Sequence, residues 1–542
     1  MAMNDQLSIK LLHLLVSCAA MFMLPAANAQ TASFKWARLL TGFTNEDNIR
    51  RAVLDADGNV IAAYYRADAV QPGPWRSNLV MKIDTRAGDV LWSHRQLPFT
   101  RSLGTAHDGT VYVAGSLAYI NDNGGASLGG AQNYFSARGI PTEGIGGGYL
   151  AKLSPATGAI ESIRHFGTSL YVMPNHLAVT AEGDVVLAGL YMRTAAQFGD
   201  ITLPAPSTST TRNLFLVKLG PSGEVRWAKA FPSTQIFTFM NGMDMDGMGH
   251  VILSGFTVAQ TSVDQTFIAK FTPDGTQLWI KNGLYGFPRI DQAGNIFVAG
   301  SADGGSVLQK YNPDGGQLWT IPVPMLAHGA VDVTGKYIGV GSFRIQGNDP
   351  NDFNSISTTK LKVGDNILQT DAEVEMYAAQ YSSSGDLGWV AQTQGQDFAY
   401  RPWPDGTFAG AGYIASWTSP NFVFAHPERG ILIGGTVRGR TLFGDTLLEG
   451  DYKKDFQPET SFFIASIAEP VSEVVSLNVA RTDSGLALSW PSTAPGLILE
   501  STDAVPASAW SAVPTVPVLE AGQNVVTIET GGAARFYRLR KQ

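Results

Sequence analysis

Lys270–Ile280 reads KFTPDGTQLWI and Lys310–Thr320 reads KYNPDGGQLWT, so the chain nearly repeats itself after about 40 residues. Apolar and polar residues alternate on both sides of the Pro-Asp-Gly turn, as in half-buried β-strands. An Asp-Gly pair readily supplies the positive φ angles of a tight turn. The stretch therefore predicts a β-meander.

The same unit recurs along most of the chain. An apolar strand that begins the unit is found seven times, as NLVMKI from Asn78, GYLAKL from Gly148, NLFLVKL from Asn213, TFIAKF from Thr266, SVLQKY from Ser306, MYAAQY from Met376 and SFFIASI from Ser461. A glycine and a tryptophan follow at one spacing, as in Gly275 and Trp279, although Ser162 replaces the tryptophan once. Each unit ends in an apolar strand closed by glycine, such as VVLAGL up to Leu190. Four short strands per unit of roughly 40 to 50 residues are typical of β-propeller blades.

The two ends of the repeat array complement each other. SFKWARLL from Ser33 begins at the tryptophan position, Trp36, whereas SFFIASI from Ser461 has no tryptophan strand after it. Pairing of these two segments would complete a blade and leave no open sheet edge. The sequence therefore predicts an all-β fold, namely a seven-bladed β-propeller over 30–470 that is closed by its N- and C-terminal strands. The repeated tryptophans are predicted to be structural and to face the neighbouring blade.

Two segments carry a family resemblance. Phe198–Phe231, FGDITLPAPSTSTTRNLFLVKLGPSGEVRWAKAF, resembles the bacterial β-propeller repeat of the SBBP type, and LFGDTLLEG from Leu442 matches its first half again. The resemblance extends over most of 34–467. It implies secretion and a propeller fold, and it implies no catalytic residues because the motif of the family is structural.

The repeat disappears after about residue 470. The segment 471–542 contains about five alternating runs and predicts a small β-sandwich. LALSWP with Trp490 and the final FYRLR are similar to fibronectin type III-like modules of bacterial secreted proteins. We expect this module to act as a spacer or an adhesive domain.

The first 29 residues are typical of a signal peptide. Lys10 precedes an apolar run from Leu11 to Leu24, and the small residues Ala27 and Ala29 favour cleavage before Gln30. An alternative is that LVSC up to Cys18 is a lipoprotein box, in which case Cys18 would be lipidated and would anchor the protein to a membrane. The predicted location is secreted, periplasmic or at the cell surface.

The composition restricts the function. The chain has 542 residues, 15% charged residues and a net charge of −8. Phosphate neutralisation supplies most of the affinity for nucleic acids, so this acidic balance argues against a nucleic-acid partner. We expect a monomer without a cofactor.

Several short patterns were tested as sites. LDADGN with Asp55 and MDMDGMG with Asp244 lack the final glutamate of a calcium loop and are interpreted as turns. GASLG around Ser127 lacks the strand–turn–helix context of a nucleophile elbow. The seven histidines of the mature chain lack short metal-ligand spacing, although folding could bring some together; they are His94, His107, His165, His176, His250, His328 and His426. Asp371, Glu373 and Glu375 are interpreted as a solvated strand face. No catalytic, cofactor or metal residues are predicted.

The leading functional hypothesis is a non-enzymatic scaffold whose rim loops bind a protein or a polysaccharide. The longest loops are expected within 124–147, 346–371 and 394–420, since binding residues concentrate on loops held by a rigid scaffold. Trp403 and Trp417 lie outside the repeated tryptophan position and are the candidate rim-binding residues. One alternative is a carbohydrate-active enzyme with acids on one propeller face, and another is a purely architectural envelope protein.

Overall fold

The computed structural model describes most of the chain after residue 29. The described residues are 30–40, 48–66, 77–98, 100–116, 119–120, 126–127, 147–167, 171–208, 211–231, 237–258, 263–302, 305–344, 359–370, 372, 374–396, 416–450, 461–469, 477–482, 485–491, 497–503, 510–520, 522–528 and 535–541. The predicted signal peptide with Cys18, and the candidate Trp403, lie outside them. The chain divides into two compact units, Met1–Glu469 and Pro470–Gln542.

The strands are numbered in chain order. The first unit begins with β1 (Gln30–Thr31), β2 (Ser33–Leu40), β3 (Asn48–Leu54), β4 (Val60–Arg66), β5 (Ser77–Ile83), β6 (Val90–Pro98), β7 (Thr100–Thr105), β8 (Val111–Ser116), β9 (Tyr119–Ile120), β10 (Ala126–Ser127), β11 (Gly148–Leu153), β12 (Ile160–Phe166), β13 (Val172–Val179), β14 (Val185–Met192), β15 (Ala196–Phe198), β16 (Ile201–Leu203), β17 (Arg212–Leu219) and β18 (Val225–Phe231).

It continues with β19 (Phe237–Met245), β20 (Val251–Val258), β21 (Val263–Phe271), β22 (Gln277–Asn282), β23 (Tyr285–Ile290), β24 (Ile296–Ala302), β25 (Gly305–Tyr311), β26 (Gln317–Pro322), β27 (His328–Val331), β28 (Tyr337–Arg344), β29 (Thr359–Val363), β30 (Asn366–Thr370), β31 (Val374–Tyr381), β32 (Leu387–Gln392), β33 (Gln394–Gly395), β34 (Trp417–His426), β35 (Gly430–Arg438), β36 (Arg440–Phe443), β37 (Thr446–Glu449) and β38 (Ser461–Ala468).

These strands form successive antiparallel groups of four. The groups are β3–β4–β5–β6, β7–β8–β11–β12, β13–β14–β17–β18, β19–β20–β21–β22, β23–β24–β25–β26, β27–β28–β31–β32 and β34–β35–β38–β2. The last two groups are joined by a single bridge between Val374 and Trp417. Strand β1 adds to the outer strand β32 in parallel. Strand β2 pairs with β38 from the other end of the unit.

The first strand of each group lies against the first strand of the next group. These contacts join β3 to β7, β7 to β13, β13 to β19, β19 to β23, β23 to β27, β27 to β34 and β34 back to β3. The radial arrangement of four-stranded sheets around shared first strands is that of a β-propeller. We call the space lined by these first strands the central channel.

The sequence repeat is out of phase with the sheets. The strand that begins each sequence unit, such as the one in Thr266–Phe271, is the third strand of its sheet, and the tryptophan strand is the fourth. The apolar strand that ends the unit is the second strand of the following sheet. Each sequence unit therefore spans two neighbouring sheets, which links consecutive sheets covalently.

A repeated contact joins the fourth strands β22 and β26 to the next sheet. The indole N–H of Trp279 donates to the carbonyl of Pro313 at 3.2 Å, and Lys270 Nζ donates to the same carbonyl at 3.1 Å. Trp319 and Lys310 bind the carbonyl of Ser383 in the same manner, each at 3.1 Å. The prediction that the repeated tryptophans are structural is confirmed at these positions.

Arginine takes over where the tryptophan contact is missing. In the sheet with Ser162, Arg164 Nη2 donates to the Ser222 carbonyl of the next sheet at 3.0 Å. On strand β2, the Arg38 guanidinium donates to the Ala87 carbonyl of the first sheet. The contact from β2 therefore reaches the sheet that contains β3.

Buried aspartates neutralise the lysines of this contact. Asp55 Oδ2 lies 2.7 Å from Lys82 Nζ, and both side chains are at most 10% exposed. Asp184 and Lys218 are 3.1 Å apart in the equivalent place. Asp55 also accepts the main-chain N–H of Asn59 at 2.8 Å, so one carboxylate closes the turn and pairs the lysine.

Three hairpins between second and third strands share a glycine at their tip. They are β15–β16, β29–β30 and β36–β37, with Gly199, Gly364 and Gly444 at positive φ. Their apolar residues Phe198, Val363 and Phe443 are fully buried. These hairpins extend the core at the ends of the sheets where the second strands finish.

The second unit contains β39 (Asn478–Thr482), β40 (Gly485–Pro491), β41 (Leu497–Thr502), β42 (Ser511–Ala512), β43 (Val518–Glu520), β44 (Gln523–Ile528) and β45 (Phe536–Lys541). They form the sheets β39–β40–β44–β43 and β42–β41–β45. Leu488, Trp490, Leu499 and Val526 make a small core. Arg538 and Arg540 both pair with Glu500, at 2.8 and 2.6 Å. Glu500 thus neutralises part of the positive charge of β45.

The glycine beneath each tryptophan provides a stability test. A Cβ on Gly275 would lie 2.7 Å from the Trp227 ring, whereas a Cβ on Gly283 would meet nothing within 4 Å; φ is +75° and +82°. Both alanine variants share the strain of a positive φ. We expect Gly275→Ala to lower the free energy of unfolding by about 1–3 kcal/mol more than Gly283→Ala, since overpacking is added. Equal urea midpoints for the two variants would contradict the proposed packing.

Candidate functional site

Five first strands have a β-bulge with a polar residue at an equivalent position. The pairing of first and second strands shifts between Thr100 and Ser102, between Pro174 and His176, between Met240 and Gly242, and between Pro420 and Phe422. The extra residues are Arg101, Asn175, Asn241 and Asn421. A shift between Ile49 and Arg51 marks the same place on β3. A β-bulge of this kind turns a side chain away from the regular pattern.

A glycine on the second strand makes room for three of these bulges. A Cβ on Gly189 would clash with the carbonyl of Met173, and Gly255 and Gly435 meet the carbonyls of Phe239 and Ser419 in the same way. These are glycines that close the apolar strands in the sequence. They lack a side chain because the first strand approaches their backbone closely.

Just after the bulges, two rows of residues occupy equivalent positions on several first strands. Register places Arg51, His176 and His328 opposite Ala63, Ala188 and Val340, which are equivalent second-strand positions. Asp244 and Arg289 pair with Ile252 and Phe297, two positions further along. Residues two apart on a strand share a face. The two rows therefore lie on the same face of their strands, at successive levels.

Hydrogen bonds connect these side chains to neighbouring first strands. Arg51 Nε donates to the Arg101 carbonyl at 3.1 Å, and Arg289 Nε donates to the Gly329 carbonyl at 2.6 Å. Asp244 Oδ2 accepts the N–H of Ile290 at 2.9 Å. These side chains bridge adjacent sheets, so part of their role is structural.

The channel histidines are neutral near pH 7. Burial lowers the pKa of His176 to about 3, with the charges of Arg51 and Arg289 acting in the same direction, while a hydrogen bond with the Met240 main chain opposes them. Burial and the same two arginines lower the pKa of His328 to about 4. The two arginines are thus close to both rings.

The charge of the channel is positive. Among the first-strand side chains that the structure describes, Arg51, Arg101 and Arg289 are cationic and Asp244 is the one carboxylate. Burial raises the pKa of Asp244, and Arg289 partly opposes this shift. A glycoside hydrolase requires two carboxyl groups on either side of the scissile bond. The described side chains of the first strands supply one, Asp244.

Three polar atoms near the bulges are buried without a hydrogen-bond partner in the part of the chain that the structure describes. They are Asn175 Oδ1, His176 Nε2 and Asn241 Nδ2. Buried polar groups are normally paired, so such atoms are unusual. His176 Nε2 is left as an acceptor when the other ring nitrogen binds the main chain of Met240.

The long connections leave the sheets at the end where these first strands begin. In antiparallel groups of four, the second-to-third and fourth-to-first connections share this end, whereas short Asp-Gly turns occupy the other. The segments between β8 and β11, β28 and β31, and β32 and β34 all belong to it. These segments include the predicted rim loops, most of whose residues lie outside the described ranges.

Trp417 begins β34 at this same end. Its ring lies under the Arg438 guanidinium, 5.2 Å from the ring centroid, and its exposure is intermediate. It pairs with Val374 of the neighbouring group. Trp417 thus contributes to packing, and its rim-binding role stays a prediction, as does that of Trp403.

The structure corrects one interpretation. Glu375 is 3% exposed, and its Oε1 accepts the N–H of Gly395 at 2.5 Å. It is therefore not part of a solvated face, because the strand β33 covers it. Asp371 and Glu373 lie outside the described residues.

The other tested patterns have structural roles in this fold. Asp55 pairs with Lys82, and Asp246 closes the turn before β20 by accepting the N–H of His250 at 2.8 Å. Ser127 lies in the short strand β10, which pairs with β9. Within the described ranges, no three His, Cys, Asp or Glu side chains are grouped as metal ligands would be. The same ranges hold no helix with the length and hydrophobicity needed to span a bilayer.

Comparisons with known proteins are distant. No family model matches the chain, and no curated protein is significantly similar to it in sequence. A Dos1 propeller matches with 7% identity and a TM-score of 0.41, over 80% of this chain and 94% of that chain. A gluconolactonase from Xanthomonas campestris has 14% identity and a TM-score of 0.28, over 58% and 95%. The polysaccharide lyase Uly1 has 11% identity and a TM-score of 0.29, over 86% and 90%. None of these scores supports transfer of a residue role.

The channel histidines predict a specific acid sensitivity. Their folded pKa values, about 3 and about 4, lie below the ordinary 6.5. The unfolded chain therefore binds more protons between those values and pH 6.5, and the free energy of unfolding falls as pH decreases through this range. We expect the urea midpoint to drop between pH 7.5 and pH 5, and to drop less in the double variant His176→Gln, His328→Gln. If the urea midpoint of the double variant falls as much between pH 7.5 and pH 5 as that of the wild type, other groups cause the sensitivity.

Proposed function

We propose that this chain is a secreted, periplasmic or cell-surface β-propeller of seven blades that binds a polysaccharide through the face carrying its long connections. The observation that carries this proposal is the coincidence of those connections with the polar bulges at one end of the first strands. Binding residues concentrate on loops held by a rigid scaffold. A protein partner is the other outcome of the binding experiment below.

Seven blades and closure of the ring are part of the proposal. The seven groups of four strands support the number, and the pairing of β2 with β38 supports closure by both ends of the chain. The contacts of β3 with both β7 and β34 agree with a closed ring. We also propose, from the sequence resemblances, that the repeats are of the SBBP type and that the second unit is a fibronectin type III-like module.

The binding proposal is tested by thermal unfolding of the mature chain with a panel of neutral and acidic glycans. A ligand at about 100 times its Kd stabilises by about 2.7 kcal/mol. We expect one glycan class to raise the Tm. Trp403→Ala and Trp417→Ala should each weaken that glycan about tenfold, because they remove an aromatic contact.

Trp510→Ala is the matched control, since Trp510 lies in the second unit and stacks with Arg538 at 4.3 Å. It should leave affinity unchanged. No shift with any glycan would contradict polysaccharide binding, and a partner captured with purified envelope proteins would then favour the protein alternative.

Secretion predicts a defined N-terminus. Gln30 follows the predicted cleavage site and already pairs with Trp389 in the structure. We expect the exported protein to begin at Gln30 in its intact mass spectrum. A mass that begins at Cys18 with attached acyl chains would instead establish lipid anchoring, and an uncleaved chain would contradict both.

A further inference from the structure

One face of the fourth strand is covered by a hairpin in three of the sheets. The hairpin β15–β16 packs on Val225 of β18, and β29–β30 packs on Leu387 of β32. In β36–β37 the ring of Phe443 lies 5.1 Å from the ring of Phe34 on β2. Each hairpin therefore removes from water the apolar side chains that the fourth strand of its sheet carries on this face.

The fourth strand β22 presents the same face to solvent. The residue that follows the repeated tryptophan is buried in two covered sheets, where it is Val390 of β32 and Ala37 of β2. Its equivalent in β22 is Ile280, which is 49% exposed, and Leu278 is 51% exposed. The connection between the second and third strands of this sheet, 259–262, is shorter than any of the three hairpins. Apolar side chains that are exposed together often mark an interaction surface.

This exposed face continues a buried interface between two sheets. Ile280 pairs with Ala269, which is buried in the cluster between the sheets that end in β18 and β22. Cross-strand partners share a face, so Ile280 points toward β18. On β18, Lys229 pairs with Leu216 of the same cluster and donates to Thr276 Oγ1 at 3.2 Å. We call the space between β18 and β22, outside this cluster, the outer cleft.

The hairpins that cover the other sheets indicate what the outer cleft accepts. They share a buried apolar residue, a glycine at positive φ and an exposed aspartate, in Phe198–Asp200, Val363–Asp365 and Phe443–Asp445. Leu278 and Ile280 match the apolar residue, and Lys229 matches the aspartate. Asp274 also interacts with Lys229, but its oxygens accept the hydroxyls of Thr272 and Thr276. An incoming carboxylate can therefore form the direct ion pair with Lys229.

We propose that the outer cleft is a docking surface for a protein partner that inserts a β-hairpin with an apolar residue, a glycine and an aspartate at its tip. Leu278 and Ile280 pack against the apolar residue, and Lys229 pairs with the aspartate. Leu278 follows the short turn before β22, at the end of the sheets opposite the long connections. The inference therefore goes beyond polysaccharide binding and does not depend on it.

The probe is a synthetic hairpin with the sequence of residues 440–449, RTLFGDTLLE, closed by a disulfide between two added terminal cysteines. It is titrated into the full mature chain in a calorimeter, and we expect one hairpin to bind per chain. Ile280→Asp should weaken binding at least about tenfold, because it places a charge against an apolar side chain. Leu278→Asp is the second variant. Ile367→Asp is the matched control, since Ile367 is 58% exposed on β30 of another sheet, and it should leave the affinity unchanged.

A second pair of changes tests the ion pair. Lys229→Met in the protein and Asp445→Asn in the peptide should each weaken binding by about three- to tenfold. Together they should cost less than the product of the two effects, because both remove the same interaction. Effects that simply multiply would overturn the assignment of Lys229.

Three other results overturn the docking surface itself. One is that the wild-type chain does not bind the hairpin at millimolar peptide. Another is that binding survives both aspartate variants of β22, or is lost equally in Ile367→Asp. The third is that the chain self-associates in sedimentation and Ile280→Asp abolishes this, which would make a second copy the occupant of the outer cleft.

Discussion

The fold depends on the contact between the fourth strand of one sheet and the turn of the next. A lysine and a tryptophan donate hydrogen bonds to one carbonyl, and the indole ring packs against a glycine in the same turn. The carbonyl has two lone pairs and can serve both donors. A buried lysine also requires a counter-charge, which the aspartate of the first turn supplies where the pair is formed. Each sheet is thus tied to its neighbour by charge, hydrogen bonding and packing together.

The two ends of each sheet differ in structure, because this contact occurs at only one of them. The end with short Asp-Gly turns carries the interlocking groups, so substitutions there affect stability. The opposite end carries the long connections and the bulged first strands, which the contacts between neighbouring sheets hold in place. Strand pairing is locally lost at each bulge, where an extra polar residue such as Asn175 or Asn241 is inserted. The contacts between neighbouring sheets and the bulges are therefore provided by different residues of the same sheets.

Local charge and net charge differ in this protein. The acidic composition gives the chain a net charge of −8, and the expectation of no nucleic-acid partner rests on this balance. Inside the channel the charges of Arg51 and Arg289 act over short distances on His176 and His328, whose pKa values they help to lower.

The sequence by itself determined the strand units, the Asp-Gly turns and the structural use of tryptophan, because these follow from short-range periodicity and backbone geometry. It also showed that the second strands end in glycine, but it did not indicate why glycine is required there. Only the tertiary structure showed that these glycines accommodate bulges, that Glu375 is buried, and that Arg51, His176 and Arg289 converge from three different sheets. Those residues are separated by long stretches of chain, and no local pattern encodes which side chains meet when the sheets assemble around a common channel.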